Sequence, residues 1–162
     1  MTAKALMKST LAGASIAIAL TFSGVAQAEY RLSAFENARG YEALDRMDLE
    51  QASSRFSYRP SMPMDYADLN NLCVLRIMQR ELPEAIATCE QSLRRVSDKP
   101  MGLRNKRRTR AVILGNLAVA QAIAGDVTSA TETLERAGSL DSDNPNISAN
   151  RRAFARNQVA AN

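Results

Sequence analysis

Two stretches of this chain, LNNLCVLRIMQRELPEAIATCEQSLRRV (Leu69–Val96) and LGNLAVAQAIAGDVTSATETLERAGSLD (Leu114–Asp141), align with each other without a gap. The alignment sets Asn71 over Asn116, Leu72 over Leu117, Cys73 over Ala118 and Val74 over Val119. Further along it sets Ala85 over Ala130, Cys89 over Leu134 and Ser92 over Ala137. A chain that repeats itself this way folds as stacked copies of one unit, each burying its apolar side against the next. Both copies read as a helix, a tight turn and a second helix. In the later copy the first helix runs to about Ala124, Gly125 supplies the left-handed residue that ends it, and Asp126 caps the next. In the earlier copy Pro83 suits the first turn of a helix and disfavours helical geometry at Leu82, so the break falls at Glu81–Leu82.

The run NLAVAQAIAGDVTSATETLERAGSLDSDNP (Asn116–Pro145) resembles the tetratricopeptide repeat family. It has a Leu-small pair (Leu117, Ala118), Gly-Asp at the turn, small residues at Ala130 and Ala137, and a Leu-Asp-x-x-Asn ending. Alanines at 118, 130 and 137 let two antiparallel helices approach closely, and Leu114, Leu117 and Leu134 fill the space between repeats. The copy at Leu69–Val96 departs from the family at Arg76, where an aromatic is preferred. A weaker copy precedes them, ARGYEALDRMDLEQASSRF (Ala38–Phe56), with Gly40, Ala52 and Phe56 at matching places. Ala52 to Ala85 spans 33 residues and Ala85 to Ala130 spans 45, the second interval being 11 longer than the family's 34. Asn144-Pro145 starts a further helix that offers Ile147 and Phe154 to the array. The resemblance implies an all-α fold: a short right-handed superhelix of about three antiparallel helix pairs, at about 36–60, 66–97 and 111–142. A capping helix at 145–157 closes it, and residues 158–162 form a disordered tail.

Residues 1–28 read as an export leader. Lys4 and Lys8 form a positive start, Leu11–Phe22 is apolar and rich in small residues, and Ala26–Ala28 supplies a small-x-small cleavage pattern. The apolar run is shorter than a membrane span and diluted by Ser and Thr. Cleavage after Ala28 leaves Glu29–Asn162, one domain's worth of chain, in a bacterial periplasm. Without the two leader lysines the net charge falls from +4 to +2. Eight of the remaining cations lie between Arg94 and Arg110 beside a single acid, Asp98.

The chain contains no His, which removes the usual general base, the commonest metal ligand and the usual activator of a Ser or Cys nucleophile. No other spacing points to catalysis, a metal or a cofactor, so the expectation is a non-catalytic binding protein. Cys73 and Cys89 sit on the front and back helices of the middle repeat at mirrored distances from the turn. Antiparallel pairing brings them opposite one another. In an oxidising compartment that is a disulfide worth about 3 kcal/mol; otherwise they are two small buried apolar residues.

The family binds peptides or partner proteins along the concave groove of its front helices. Here that groove presents Asn70, Val74, Ile77 and Met78 from the middle repeat and Asn116, Val119 and Ile123 from the last. These are apolar residues with asparagines able to bond an extended backbone. The family's carboxylate-holding cations are missing from these positions. The same surface also suits internal packing or a homodimer.

The insertion between the middle and last repeats carries Arg104, Lys106, Arg107, Arg108 and Arg110. Eleven residues make about three helical turns, so the insertion either extends the last front helix back to Leu103, projecting into water, or stays a loop. Nucleic acid is excluded by export and by the lack of an aromatic to stack on bases. A solvated linker partly neutralised by Glu81 and Glu84 is one reading. Peripheral docking on anionic lipid or lipopolysaccharide through the 94–110 stripe is the alternative function.

Overall fold

The structure, a computed structural model, describes residues 14–19, 29–57 and 63–160. Two strands, β1 (Ala14–Ala19) and β2 (Glu29–Ala34), pair antiparallel. Among the described residues seven helices follow: α1 (Tyr41–Asp45), α2 (Leu49–Ser57), α3 (Tyr66–Met78), α4 (Leu82–Asp98), α5 (Leu103–Ile123), α6 (Val127–Leu140) and α7 (Pro145–Ala160). The fold is all-α and repeat-like apart from the hairpin. Of the expected leader, only 14–19 falls within the described residues; its cleavage site does not, nor do 58–60 of the first repeat or 161–162. Residues 158–160, expected in a disordered tail, belong to α7.

The three helix turns share one geometry. Met47, Arg80 and Gly125 take left-handed φ values of 59°, 65° and 90°. Behind each, the next residue's amide reaches back five positions: Asp48 to Ala43, Glu81 to Arg76 and Asp126 to Gln121, at 2.9, 2.9 and 3.0 Å. The left-handed residues themselves donate to Leu44, Ile77 and Ala122. This doubled arrangement satisfies carbonyls that the end of a helix would otherwise orphan. The turn acids then start the following helices: the Asp48 and Asp126 carboxylates accept from the amides of Gln51 and Ser129. Asp65 caps α3 through the amides of Ala67 and Asp68, and Asn144 caps α7 through those of Asn146 and Ile147. Arg80 thus adopts, with a side chain, the conformation that Gly125 adopts without one.

Ala52, Ala85 and Ala130 are fully buried at the same step of each back helix, as are Ala118 and Ala137. Leu114, Leu117 and Leu134 fill the core, and α7 adds Ile147 and Phe154. The first pair departs from a full repeat. Gly40 stands at φ 79° before α1, and a Cβ there would lie 2.8 Å from Cε2 of Phe56. Its front helix is the five residues of α1, which starts only after the left-handed Gly40, and the chain upstream runs as β2.

Candidate functional site

β2 lies in the concavity expected to be open. The front helices α3, α5 and α7 each present an asparagine to it, and each asparagine holds both main-chain groups of one residue. Asn71 Oδ1 accepts from the amide of Phe35 at 2.8 Å while its Nδ2 donates to the Phe35 carbonyl at 3.0 Å. Asn116 does the same for Ser33, at 2.9 and 2.8 Å. Asn150 does so for Arg31, at 2.7 and 2.9 Å. A carboxamide carries one acceptor and a donating NH2, so it matches the N–H and C=O of one extended residue as a neighbouring strand would. Alternate residues 35, 33 and 31 are read in turn because consecutive residues of a strand present their polar groups to opposite edges.

Further bonds close the network. Asn70 Nδ2 donates to the Ser33 carbonyl at 2.9 Å, Asn116 Nδ2 also reaches Asn70 Oδ1 at 2.8 Å, and Asn146 Nδ2 donates to Ser33 Oγ at 2.8 Å. At the strand's exit, the Asp68 carboxylate accepts from the Arg39 amide at 2.8 Å and faces the Arg39 guanidinium at 3.7 Å. At its entry, Asn157 donates to the Tyr30 hydroxyl at 2.9 Å. Asn70, Asn71, Asn116 and Asn150 are all buried, and these partners repay the desolvation of their amides. The side chains of Tyr30, Leu32 and Ala34 enter the core, and Tyr30 meets the Phe154 ring edge-on at 5.3 Å. Burial pushes the Tyr30 phenol above its ordinary value, against a smaller opposite pull from the Asn157 bond.

The groove set is therefore corrected. Asn70, Val74, Ile77, Asn116 and Val119 are buried, and Met78 and Ile123 pack half-buried against the core. None of the seven lines an open groove, and at Asn70 and Asn116 the covering chain is β2. Two signals could have revealed this. Asn150 follows Asn116 by 34 residues, one repeat further on, and YRLSA (Tyr30–Ala34) alternates apolar and polar just after the expected leader.

Cys73 and Cys89 form the disulfide, both fully buried, with Cα atoms 5.3 Å apart. The basic run is helical, as the first turns of α5, and it does not project freely into water. Lys106 Nζ donates to the Ser97 carbonyl at 3.0 Å and Arg107 Nη2 to the Ser139 carbonyl at 3.1 Å. Arg110 Nη1 reaches Ser97 Oγ at 2.8 Å. Ser97 and Ser139 stand in the last turns of α4 and α6, so these cations meet the negative ends of two helix dipoles. That contact offsets their unfavourable place at the start of α5. Arg104 and Arg108 are exposed. Glu81 faces Arg76 at 4.0 Å, and Glu84 offers its main-chain carbonyl to Arg76 at 3.3 Å.

Among the described residues no helix is long and apolar enough to cross a membrane, and no group of His, Cys, Asp and Glu is placed to hold a metal ion. Comparison with known proteins finds no matching family model, no matching curated protein and no matching solved structure.

Proposed function

We propose that this chain is an exported periplasmic protein of tetratricopeptide type, a short right-handed superhelix that binds an extended segment of a partner protein without catalysis or cofactor. The observation that carries this reading is β2 itself, held extended along one edge by the row Asn71, Asn116 and Asn150, so that a strand is fixed and presented with its other edge turned away from the helices. Such an edge is suited to strand-like ligands. The disulfide between Cys73 and Cys89 fits an oxidising compartment. The lipid-docking alternative is weaker, because Lys106, Arg107 and Arg110 already engage the ends of α4 and α6.

The test is site-specific photocrosslinking in cells. A photoreactive residue replaces exposed Arg31 on β2 or, as a control, exposed Glu132 on the outer face of α6. The reading expects discrete protein adducts from position 31 that persist at about 0.5 M salt, where exposed charge attraction is screened, and few from 132. Equal labelling at both positions, or adducts lost with salt, would sink it.

A further inference from the structure

β2 has two edges, and the helices use only one. The amides of Arg31, Ser33 and Phe35 are held by asparagines, so the N–H and C=O groups of Tyr30, Leu32 and Ala34 face the other way. There β1 is paired, with Ile18 opposite Tyr30, Ile16 opposite Leu32 and Ala14 opposite Ala34. β1 lies wholly within the segment read as the export leader, and β2 begins at Glu29, the first residue after the expected cut. Cutting there detaches β1 from the chain but leaves β2 fixed by the asparagine row and by the buried side chains of Tyr30, Leu32 and Ala34.

We infer that the outer edge of residues 30–34 is the binding site. The leader strand covers it in the precursor, and processing opens it to an antiparallel apolar β-strand of a partner protein. The inference rests on the proposed export and names the mode of partner binding: a strand paired along the free edge of β2 in the place of β1, with the helical groove left undisturbed. The ligand class follows from what occupies the edge in the full chain. ASIAIA is uncharged, alternates small and β-branched residues, and places isoleucines opposite Tyr30 and Leu32. A strand edge held in a fixed extended conformation gives main-chain hydrogen bonds without the ordering cost of both strands. An edge left bare also invites pairing, so an exported protein that carries one gains from covering it until processing.

The experiment uses protein purified from the periplasm, whose intact mass gives the start of the chain. The probe is a synthetic peptide of residues 13–21, GASIAIALT, with two lysines appended for solubility. Two further versions carry backbone N-methyl groups, one at Ile16 and Ile18, whose amides face β2, the other at Ser15 and Ala17, whose amides face away. The expected result is saturable binding by the first and third peptides and at least tenfold weaker binding by the second. Hydrogen exchange at Tyr30, Leu32 and Ala34 slows at least tenfold in the complex, while Ser33 and Phe35 stay unchanged. A chain in the periplasm that still starts at Met1 overturns the leader cleavage and this inference with it, and a chain absent from the periplasm overturns the export reading as well. A chain starting at Glu29 that ignores the peptide, or binds all three alike, overturns this inference alone. Faster exchange at Ser33 and Phe35 means the peptide displaces β2, and a processed dimer already protected at Tyr30, Leu32 and Ala34 means a second copy fills the edge. Either result overturns it.

Discussion

Asn116 grips Ser33 by both ends of its peptide geometry, accepting from the amide at 2.9 Å and donating to the carbonyl at 2.8 Å across 83 residues of sequence. The carboxamide is 1 % exposed and also reaches Asn70. It therefore stands where a central strand would stand in a sheet.

Replacing Asn116 with Ala orphans the amide of Ser33 and weakens its carbonyl's coordination, along with the Oδ1 of Asn70. A buried polar group left unmade costs about 1–3 kcal/mol, so N116A should lose about 3 kcal/mol in urea unfolding. Asn150→Ala, at the more open end of the strand, should lose about 1–2 kcal/mol on the same scale. Equal stability of N116A and the parent would mean that β2 contributes nothing to the fold.

The bridge between Cys73 and Cys89 closes a loop with a sequence separation of 16. The double variant Cys73→Ala/Cys89→Ala should unfold with about 3 kcal/mol less stability, by the loss of loop restriction in the unfolded chain. Because both residues are fully buried, reductant should act on the native protein far more slowly than on protein in denaturant. Free-thiol titration over time checks this.

The basic run divides into two functional halves. Exposed charges near helix ends contribute about 0.3–1 kcal/mol each, so Lys106→Ser with Arg107→Ser should together lose about 1 kcal/mol. Arg104→Ser with Arg108→Ser should stay within about 0.5 kcal/mol of the parent, as surface changes do. The difference between the pairs should shrink in high salt, which denaturation at two ionic strengths reads directly.

Burial raises the phenol of Tyr30, and burial with a smaller effect of Asp65 raises that of Tyr66. A raised folded pKa gives stability that is fully present below the ordinary value of 10.0 and is lost as pH rises through the folded value. The protein should therefore destabilise above about pH 10, beginning with release of β2. Tyr30→Phe should flatten that decline while removing the Asn157 bond. Thermal melts between neutral pH and pH 11 follow it.

The helix pairs were legible because their punctuation is local. Pro83, Gly125, Asp126 and Asn144-Pro145 each act on their own turn, and the structure ends and starts helices there. The disulfide was legible for a related reason: a short turn fixes which positions of two helices face. Arg80 and Met47 were harder to read as turn residues, since neither is a type that favours a left-handed backbone, and neighbouring bonds impose it. The strand that covers the front helices leaves no local mark of its docking. Its partners lie 36, 83 and 119 residues away, so no window of sequence contains the contact. The extension of α5 back to Leu103 was legible, but not the anchoring of its cations, since the carbonyl that Arg107 meets on α6 is 32 residues distant.

Repeat arrays ordinarily fold from any point outward, since each unit touches only its neighbours. Here the contact between Arg31 and Asn150 ties the earliest part of the domain to its last helix. A ribosome delivers residue 31 long before residue 150, so the strand must wait, undocked, until the whole array has arrived. Completion of the chain is thus the event that locks it. The assembled protein should melt as one cooperative body, with the slow search that long-range closure imposes, in place of fraying repeat by repeat from either end.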